Sequence, residues 1–465
     1  MNTKFFKYII PALSLVFSVN FTSCLGDLDV TPIDPNLNVE FDQNANFAKI
    51  YAGLAITGNK GPDGQGDIAD TDEGASGLMR MLFNLNELPT DEAICAWSGD
   101  VDVYPLNFAK FTASNGVVLN MFNRLYIQIA QCNNFLIQTE GKDDEESLTQ
   151  RAEVRFIRAL DYYYLIDLYG NVPFVDENTG IGTYVPERIT RANLYTYIEK
   201  ELKEIEPQMK APRANVYGRA DQAAVWMLLS RLYLNAEVYT GDPQWNACIQ
   251  ECDDIINSGK YSLDINYSNP FKAHNENSLE NILVIPYDEI FATGFNYHLA
   301  ALHGANQKTY DLVGSPWGAG AYKGIPQFID TYDPDDERLN ATWLGGPQYA
   351  SDRTPLTGSY DLMGQPLIFV NKMPNGIFTG EAEGYRWLKY EVEMGARSEL
   401  NNDLVLFRLT QVHMMKAECL LRTGKADQAA SIVSMVRKEL LKNILKKQLS
   451  QERNYKKNPV TNTVR

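Results

Sequence analysis

A helical spacing of apolar residues recurs in three separate stretches of the chain. In residues 149–169, apolar side chains return every three or four positions and share one helix face. Gly170 follows this stretch, and glycine often adopts the left-handed conformation that ends a helix. The second stretch covers residues 219–239, and the third covers residues 404–437. The apolar residues that mark the three stretches are Ala152, Phe156, Ala159, Tyr163, Ile166, Ala224, Leu228, Leu232, Val412, Met415, Cys419, Ala426, Ala429 and Val433.

The third stretch has the size of one helix pair. Gly424 separates its two apolar runs, which predicts two antiparallel helices with a tight link. Such a pair matches one tetratricopeptide unit of about 34 residues. Units of this kind bury their apolar faces only by stacking on one another. The sequence therefore predicts a mainly α fold with tetratricopeptide-like helix pairs, mainly in residues 117–261 and 404–437.

Two other regions lack the helical spacing. Residues 58–110 open with a loop rich in glycine and aspartate, and residues 262–403 are rich in glycine, proline, asparagine and aspartate. Loop-rich regions on a helical scaffold commonly carry binding surfaces. We therefore predict an irregular, loop-rich half that is packed against the helices. The aromatic residues scattered through its larger region include Tyr297, Tyr310, Trp317, Tyr322, Tyr332, Trp343, Tyr349 and Tyr360.

The first residues have the pattern of an export signal. Lys4 and Lys7 precede an apolar run that is too short to span a membrane comfortably, and small residues then lead to Cys24. This pattern predicts a signal peptide over residues 1–23 and lipid attachment at Cys24. The alternative is an ordinary export signal followed by a coincidental cysteine. We expect a single folded domain over residues 24–437.

Charge narrows the range of partners. The chain has 42 Lys and Arg against 59 Asp and Glu, a net charge of −17. This balance argues against general nucleic-acid binding, because phosphate backbones repel an acidic surface. The sign reverses after Val436, where nine basic residues accompany two acidic ones. We therefore separate residues 438–465 as an atypical basic tail.

The cysteines and histidines predict no metal centre and no cofactor. The four His lack the spacing of metal ligands, and no Cys or His pair completes a zinc site. The acidic loop over residues 63–73 does not fit a calcium-binding EF-hand. Five cysteines are therefore expected to be small buried apolar residues. They are Cys95, Cys132, Cys248, Cys252 and Cys419.

Several stretches resemble the SusD/RagB family of surface lipoproteins from Bacteroidetes. The longest are residues 151–173 and 217–235, which are rich in Arg, Tyr and Leu. Residues 24–34 and 72–97 also match, and residues 407–437 match more weakly. The starch-binding members are the most similar.

This resemblance implies a glycan-binding protein without catalytic activity. Family members are anchored by lipid at the outer membrane and capture oligosaccharide at the cell surface. They work as lids on a SusC-type TonB-dependent transporter. The starch-like context makes an α-glucan such as starch the leading ligand. Family members continue beyond the weaker match, so we expect that this chain is truncated or frameshifted after about Arg437.

The resemblance also implies a set of binding residues. Trp97 lies in a polar turn, where a large apolar side chain suits stacking on a sugar ring. The alternative for Asp72 and Arg80 is capping or pairing within the loop, and Trp317 could instead close its glycine-rich loop onto the core. The predicted glycan contacts are Trp97, Asp72, Arg80, Asp100, Tyr297 and Trp317.

Two other functions stay open at the level of sequence. The first is a helical-repeat scaffold whose aromatic residues bind a protein partner. The second is a glycoside hydrolase, which needs two carboxyl groups about 5–10 Å apart. With 59 acidic residues, composition does not exclude such a pair.

Overall fold

The structure is a computed structural model of the chain, which divides into two compact units, residues 1–46 and 47–465. The described residues of the first unit are 41–46, which include the start of the first helix. The helices and strands that follow it belong to the second unit. The residues that the structure describes are 41–58, 66–69, 76–179 and 185–437.

Helices dominate the described part of the chain, and its strands are short. The helices are α1 (Gln43–Ala52), α2 (Leu78–Asn86), α3 (Gly116–Gln138), α4 (Glu145–Leu168), α5 (Arg191–Ile205), α6 (Gln222–Leu234), α7 (Ala236–Thr240), α8 (Trp245–Asn257), α9 (Tyr297–Ala301), α10 (Gln307–Tyr310), α11 (Pro326–Ile329), α12 (Glu337–Thr342), α13 (Leu409–Arg422) and α14 (residues 426–437). The strands are β1 (Ala93–Cys95), β2 (Val172–Pro173), β3 (Arg188–Ile189), β4 (Asn281–Ile285), β5 (Tyr322–Gly324), β6 (Trp343–Leu344), β7 (Gly346–Pro347), β8 (Ile368–Phe369), β9 (Tyr385–Trp387) and β10 (Leu404–Arg408). The prediction of a mainly helical fold is confirmed.

Local capping sets where the long helices begin and end. Asn115 and Asp144 accept hydrogen bonds from the first free backbone N–H groups of α3 and α4. Asp221 does the same for α6. Gly170 follows α4 with φ of 78°, and Gly424 lies between α13 and α14 with the same φ. Both glycines therefore end helices as the sequence predicts.

The helical half, residues 116–257 and 404–437, is built from helices that pack on their neighbours. Helix α4 packs between α3 and α5, and α8 packs between α6 and α13. Its core is made mostly of the apolar faces that the periodicity predicts, with Phe156, Leu228 and Val412 at most 1% exposed. The face predicted for α14 is wrong in part, because this helix packs on α13 through Ala429 whereas Ala426 and Val433 are exposed. Burial of these faces is the main stabilising contribution to such a bundle.

Two further groups of residues are buried. Tyr162, Tyr163 and Tyr164 lie in the core of α4, and each is at most 6% exposed. The five cysteines after Cys24 are buried and carry free thiols. In the described part of the chain, no helix is both long and apolar enough to cross a bilayer.

The loop-rich half, residues 76–110 and 262–403, is organised by small antiparallel sheets. The largest has four strands in the order β1-β5-β9-β6. Its register pairs Cys95 with Tyr322 and Lys323 with Arg386. The second, β4 with β10, leads directly into α13 and so joins the two halves. The four-stranded sheet matters for function, because it brings the loops after β1 and before β5 together.

Candidate functional site

The candidate site is built around two tryptophans at the end of the four-stranded sheet. Trp97 lies two residues after β1, and Trp317 lies in the loop before β5. Their ring centroids are 6.0 Å apart, with the ring planes inclined by 41°. Trp317 is 37% exposed, and Trp97 is half-buried. The pair therefore presents indole surface to solvent from two distant parts of the chain.

Arg80 lies beside both indoles. It is in the first turn of α2, and its guanidinium carbon lies 5.8 Å from the Trp97 ring centroid and 5.6 Å from that of Trp317. These distances are typical of cation–π contacts, which hold a guanidinium against an aromatic face. Trp97, Trp317 and Arg80 therefore form one compact cluster, and the structure brings these three predicted site residues together.

Tyr322 supports this cluster from below. Its ring centroid is 6.1 Å from that of Trp97, and its hydroxyl donates a hydrogen bond of 2.9 Å to Asn84 Oδ1. Burial raises the pKa of Tyr322, so its phenol stays protonated and able to donate. The sequence marks Tyr322 only as one aromatic residue among many. Its contact with Trp97 follows from the β1–β5 pairing, which no spacing along the chain reveals.

The turn that carries Trp97 is held by Asp100. The Asp100 backbone N–H donates to the Trp97 carbonyl at 3.0 Å. Its Oδ1 accepts from the backbone N–H groups of Asp102 and Val103 at 3.0 and 2.8 Å. The Asp100 carboxylate therefore caps the turn, which positions Trp97. Next to this turn, burial raises the pKa of Cys95 to about 12, so its thiol is not ionised at neutral pH.

The loop that carries Trp317 is held against α9. The backbone N–H of Trp317 donates a hydrogen bond to the Leu299 carbonyl at 2.6 Å. Gly320 has φ of 75°, and a Cβ at this position would lie 2.4 Å from the Ala301 carbonyl oxygen. Only glycine allows this close approach. The glycine-rich loop therefore closes onto the core while its tryptophan stays partly exposed.

Tyr297 is not part of the exposed cluster. It is 5% exposed, and its hydroxyl donates to the Tyr390 carbonyl at 2.8 Å and accepts from the Tyr390 N–H at 2.9 Å. Its ring packs 4.6 Å from that of Trp387. The hydroxyl therefore has both a hydrogen-bond acceptor and a hydrogen-bond donor inside the protein. We therefore correct its predicted role in the described structure: Tyr297 is a core residue beneath the site.

The remaining predicted residues lie outside the described part of the chain. These are Asp72 of the acidic loop and Cys24 of the leader, and the predicted basic tail is outside it as well. Asp67 of the acidic loop is described, and its carboxylate pairs with Arg124 at 2.8 Å. Within the described residues, no group of three His, Cys, Asp or Glu side chains is arranged to hold a metal ion.

The sequence matches two models of related protein families. Residues 28–234 match a SusD-like family described as starch-binding and associating with the outer membrane. Residues 257–448 match the SusD family itself. A mainly helical chain with an irregular half and both of these matches is a SusD-like protein. The chain belongs to the SusD/RagB family.

The chain aligns with part of the length of its curated relatives. The chain is 44% identical over 288 residues to the starch-binding protein SusD of Bacteroides thetaiotaomicron, which covers 61% of this chain and 52% of that protein. It is 23% identical over 345 residues to the SusD-like protein P25 of Formosa agariphila, covering 68% of this chain and 61% of P25. The chain thus spans between half and two thirds of the length of these relatives.

Solved structures share the fold. A SusD-like protein of Bacteroides fragilis has a TM-score of 0.64 at 17% identity, covering 86% of this chain and 78% of that one. The surface glycan-binding protein A of Bacteroides thetaiotaomicron, in complex with laminarihexaose, has a TM-score of 0.63 at 19% identity, covering 85% and 82%. At this level of identity the likeness establishes the fold alone.

Proposed function

We propose that this chain is a non-catalytic glycan-binding protein of the cell surface. The observation that carries the proposal is the pair of partly exposed indoles, 6.0 Å apart, with the Arg80 guanidinium in contact with both. A sugar ring has flat C–H faces and a rim of hydroxyl groups. Aromatic planes bury the faces, and a guanidinium donates hydrogen bonds to the hydroxyls.

The proposed ligand is an α-glucan such as starch. Support comes from the relative of 44% identity, which is named a starch-binding protein. The two indole planes are inclined rather than coplanar, and such a pair suits a glycan chain that curves between successive rings. A starch chain repeats its sugar unit, so modest affinity at one site is raised by many sites on one polymer.

The proposed setting is the outer membrane. Lipid on Cys24 would anchor the chain, and a SusC-type TonB-dependent transporter would receive the captured oligosaccharide. The family match to proteins associated with the outer membrane supports this setting. Asp100 would position Trp97 through its Oδ1, which accepts two backbone hydrogen bonds, and its carboxylate keeps acceptor capacity for a sugar hydroxyl.

The proposal is tested by replacing Trp97 in the purified chain. We expect thermal stabilisation by soluble starch, which is about 2.7 kcal/mol when the ligand is at a hundred times its dissociation constant. Trp97→Ala should weaken maltoheptaose binding at least tenfold in calorimetry, about 1.4 kcal/mol. The matched control is Phe291→Ala, an aromatic residue 86% exposed on another loop. This control should bind like the unmodified chain.

Other outcomes would favour the alternative functions. Binding of no glycan in a panel of starch, levan, xylan and mucin oligosaccharides would contradict the proposal and favour a scaffold for a protein partner. Cleavage of a bound oligosaccharide, detected as shorter products by mass spectrometry, would instead indicate a glycoside hydrolase. Equal loss of affinity in Trp97→Ala and Phe291→Ala would show that the tryptophan pair is not the binding site.

A further inference from the structure

A third exposed aromatic residue lies beside the tryptophan pair. Tyr360 is 54% exposed, and its hydroxyl lies 3.8 Å from the position that a Cβ would take at Gly318, the residue after Trp317. Its ring centroid is 5.8 Å from that of the buried His303. Tyr360 therefore lies at the edge of the loop that carries Trp317, with one part of its ring toward solvent.

The loop that carries Tyr360 is held by a buried carboxylate. Glu381 is 1% exposed, and its carboxylate accepts hydrogen bonds from three backbone N–H groups of this loop. The distances are 2.8 Å to Ser359, 3.1 Å to Tyr360 and 2.5 Å to Leu362. A charged acceptor makes stronger hydrogen bonds than a neutral one, so this arrangement fixes the backbone of Tyr360.

His303 completes this support. Its Nδ1 accepts a hydrogen bond from the Ala305 N–H at 3.0 Å, so the proton is on Nε2, which lies 2.9 Å from Glu381 Oε2. Burial lowers the pKa of His303, which leaves the ring neutral and donating. Burial raises the pKa of Glu381, but hydrogen bonds from the loop and from His303 outweigh it and leave that pKa below its usual value.

The same short segment also holds the Trp317 loop. The Gly304 N–H, next to His303, donates to the Gly318 carbonyl at 2.8 Å. Residues 303 and 304 thus anchor the Tyr360 loop on one side and the Trp317 loop on the other. This shared anchor fixes the loops of Tyr360 and Trp317 relative to each other. Such preorganisation reduces the entropy lost when a ligand binds.

We propose that Tyr360 is a further contact residue of the glycan site and takes a sugar ring beyond those at the tryptophan pair. This inference rests on the proposed function. Tyr360 supplies an aromatic face for the ring and a hydroxyl for hydrogen bonding to the sugar. Glu381 is a positioning residue that acts through Tyr360. The site then requires an oligosaccharide long enough to reach from the tryptophans to Tyr360.

The test compares maltotriose with maltoheptaose by calorimetry on the full chain. We expect Tyr360→Ala to weaken maltoheptaose binding five- to tenfold and to change maltotriose binding less than twofold. Tyr360→Phe keeps the ring and should recover most of the affinity. The matched control is Tyr349→Ala, because Tyr349 is similarly exposed at 44%. An unchanged affinity of Tyr360→Ala for maltoheptaose would overturn the inference.

The positioning role of Glu381 has its own readout. Glu381→Gln should weaken maltoheptaose binding about as much as Tyr360→Ala, and the double variant should bind like Tyr360→Ala alone. Additive losses in the double variant would overturn the positioning role. If Glu381→Gln does not fold, the Tyr360 variants still decide the main inference. Absence of binding by the unmodified chain contradicts the proposed function, whereas normal binding by Tyr360→Ala contradicts only this inference.

Discussion

The helical half and the loop-rich half bury their charged side chains in different ways. In the helical half, a charge on one helix meets a charge on the next. Arg155 and Arg158 of α4 both bind Glu201 of α5, with N–O distances of 2.7 and 2.9 Å. The helix backbones satisfy their own N–H and C=O groups, so these side chains are free to pair with one another.

In the loop-rich half, buried basic side chains bind the backbone. Arg386 is fully buried, and its guanidinium donates to the carbonyls of Ala319, Glu381 and Glu383 at 3.2, 2.5 and 2.9 Å. Lys323 is 1% exposed and donates to the Gly380 carbonyl at 3.0 Å. Loops have no ladder of their own, and buried backbone groups without partners are costly. Buried basic side chains therefore supply the partners, and burial lowers the pKa of Lys323 to about 6, so its amine donates even when it is neutral.

This difference has a consequence for mutation. A buried pair of charges can be replaced by two apolar residues, and such replacements are often neutral. When a side chain binds backbone carbonyls, its partners cannot be removed by a second substitution. Replacing that side chain leaves the buried carbonyls without donors. We therefore expect substitutions of buried charged or basic residues to destabilise the protein more in the loop-rich half than in the helical half.

The largest expected effect is at Arg386. Arg386→Met leaves several buried carbonyls without donors, and we expect the free energy of unfolding to fall by about 3 kcal/mol or more. Urea denaturation followed by tryptophan fluorescence measures this change. Arg386→Lys keeps a positive charge with fewer donors and should lose less. A loss below about 1 kcal/mol for Arg386→Met would contradict the comparison between the halves.

A smaller and reversible effect is expected at Arg158. Arg158→Met leaves the Glu201 carboxylate with Arg155 alone and should lower stability by about 2–3 kcal/mol. Adding Glu201→Leu removes the remaining buried charge, and Arg155 keeps Glu204 as its partner at 2.7 Å. The double variant should therefore be more stable than Arg158→Met in urea denaturation. If the two losses simply add, buried charges in the helical half are no more replaceable than those in the loops.

The smallest effect concerns pH and His298 of α9. His298 is fully buried, neither ring nitrogen has a hydrogen-bond partner among the described residues, and burial lowers its pKa to about 3. The unfolded chain takes up this proton near pH 6.5. Stability should therefore fall as the pH drops below about 6.5. From pH 7.5 to 5, this group accounts for about 2 kcal/mol.

The variant His298→Phe isolates this effect from other titrating groups. Its loss of stability between pH 7.5 and 5 should be about 2 kcal/mol smaller than that of the unmodified chain. Only the difference between the two pH values is compared, because the substitution itself changes packing. Equal pH dependence in both proteins would show that His298 is protonated in the folded state.

Local features of the structure were predictable from sequence. The ends of α4 and α13 follow from Gly170 and Gly424, since a left-handed glycine acts on the turn that it terminates. The burial of Cys248 and Cys252 follows from their shared helix face. The partly exposed position of Trp97 was indicated by the polar turn around it. Each of these signals depends on residues within a few positions of one another.

The arrangement of the site was not predictable in the same way. Tyr297 and Trp317 both lie among glycines and polar residues, yet Tyr297 is in the core and Trp317 is partly exposed. Which of them faces solvent depends on Tyr390, whose backbone binds the Tyr297 hydroxyl from far along the chain. Sequence resemblance named both residues, and tertiary contacts separated their roles.

By itself, the sequence determined the long helical stretches, the glycines that end two of the helices, the burial of most of their apolar faces and the family. Helices form through contacts three and four positions apart, so a short window of sequence contains their cause. Only the tertiary structure decided that Arg80 contacts two indoles, that Tyr322 supports Trp97 and that Tyr360 lies beside Trp317. These contacts join distant segments, as in the hydrogen bond between Tyr322 and Asn84, 238 positions apart. Pairing of β1 with β5 brings the Trp97 and Trp317 loops together, and residues 303 and 304 hold the Tyr360 loop beside them.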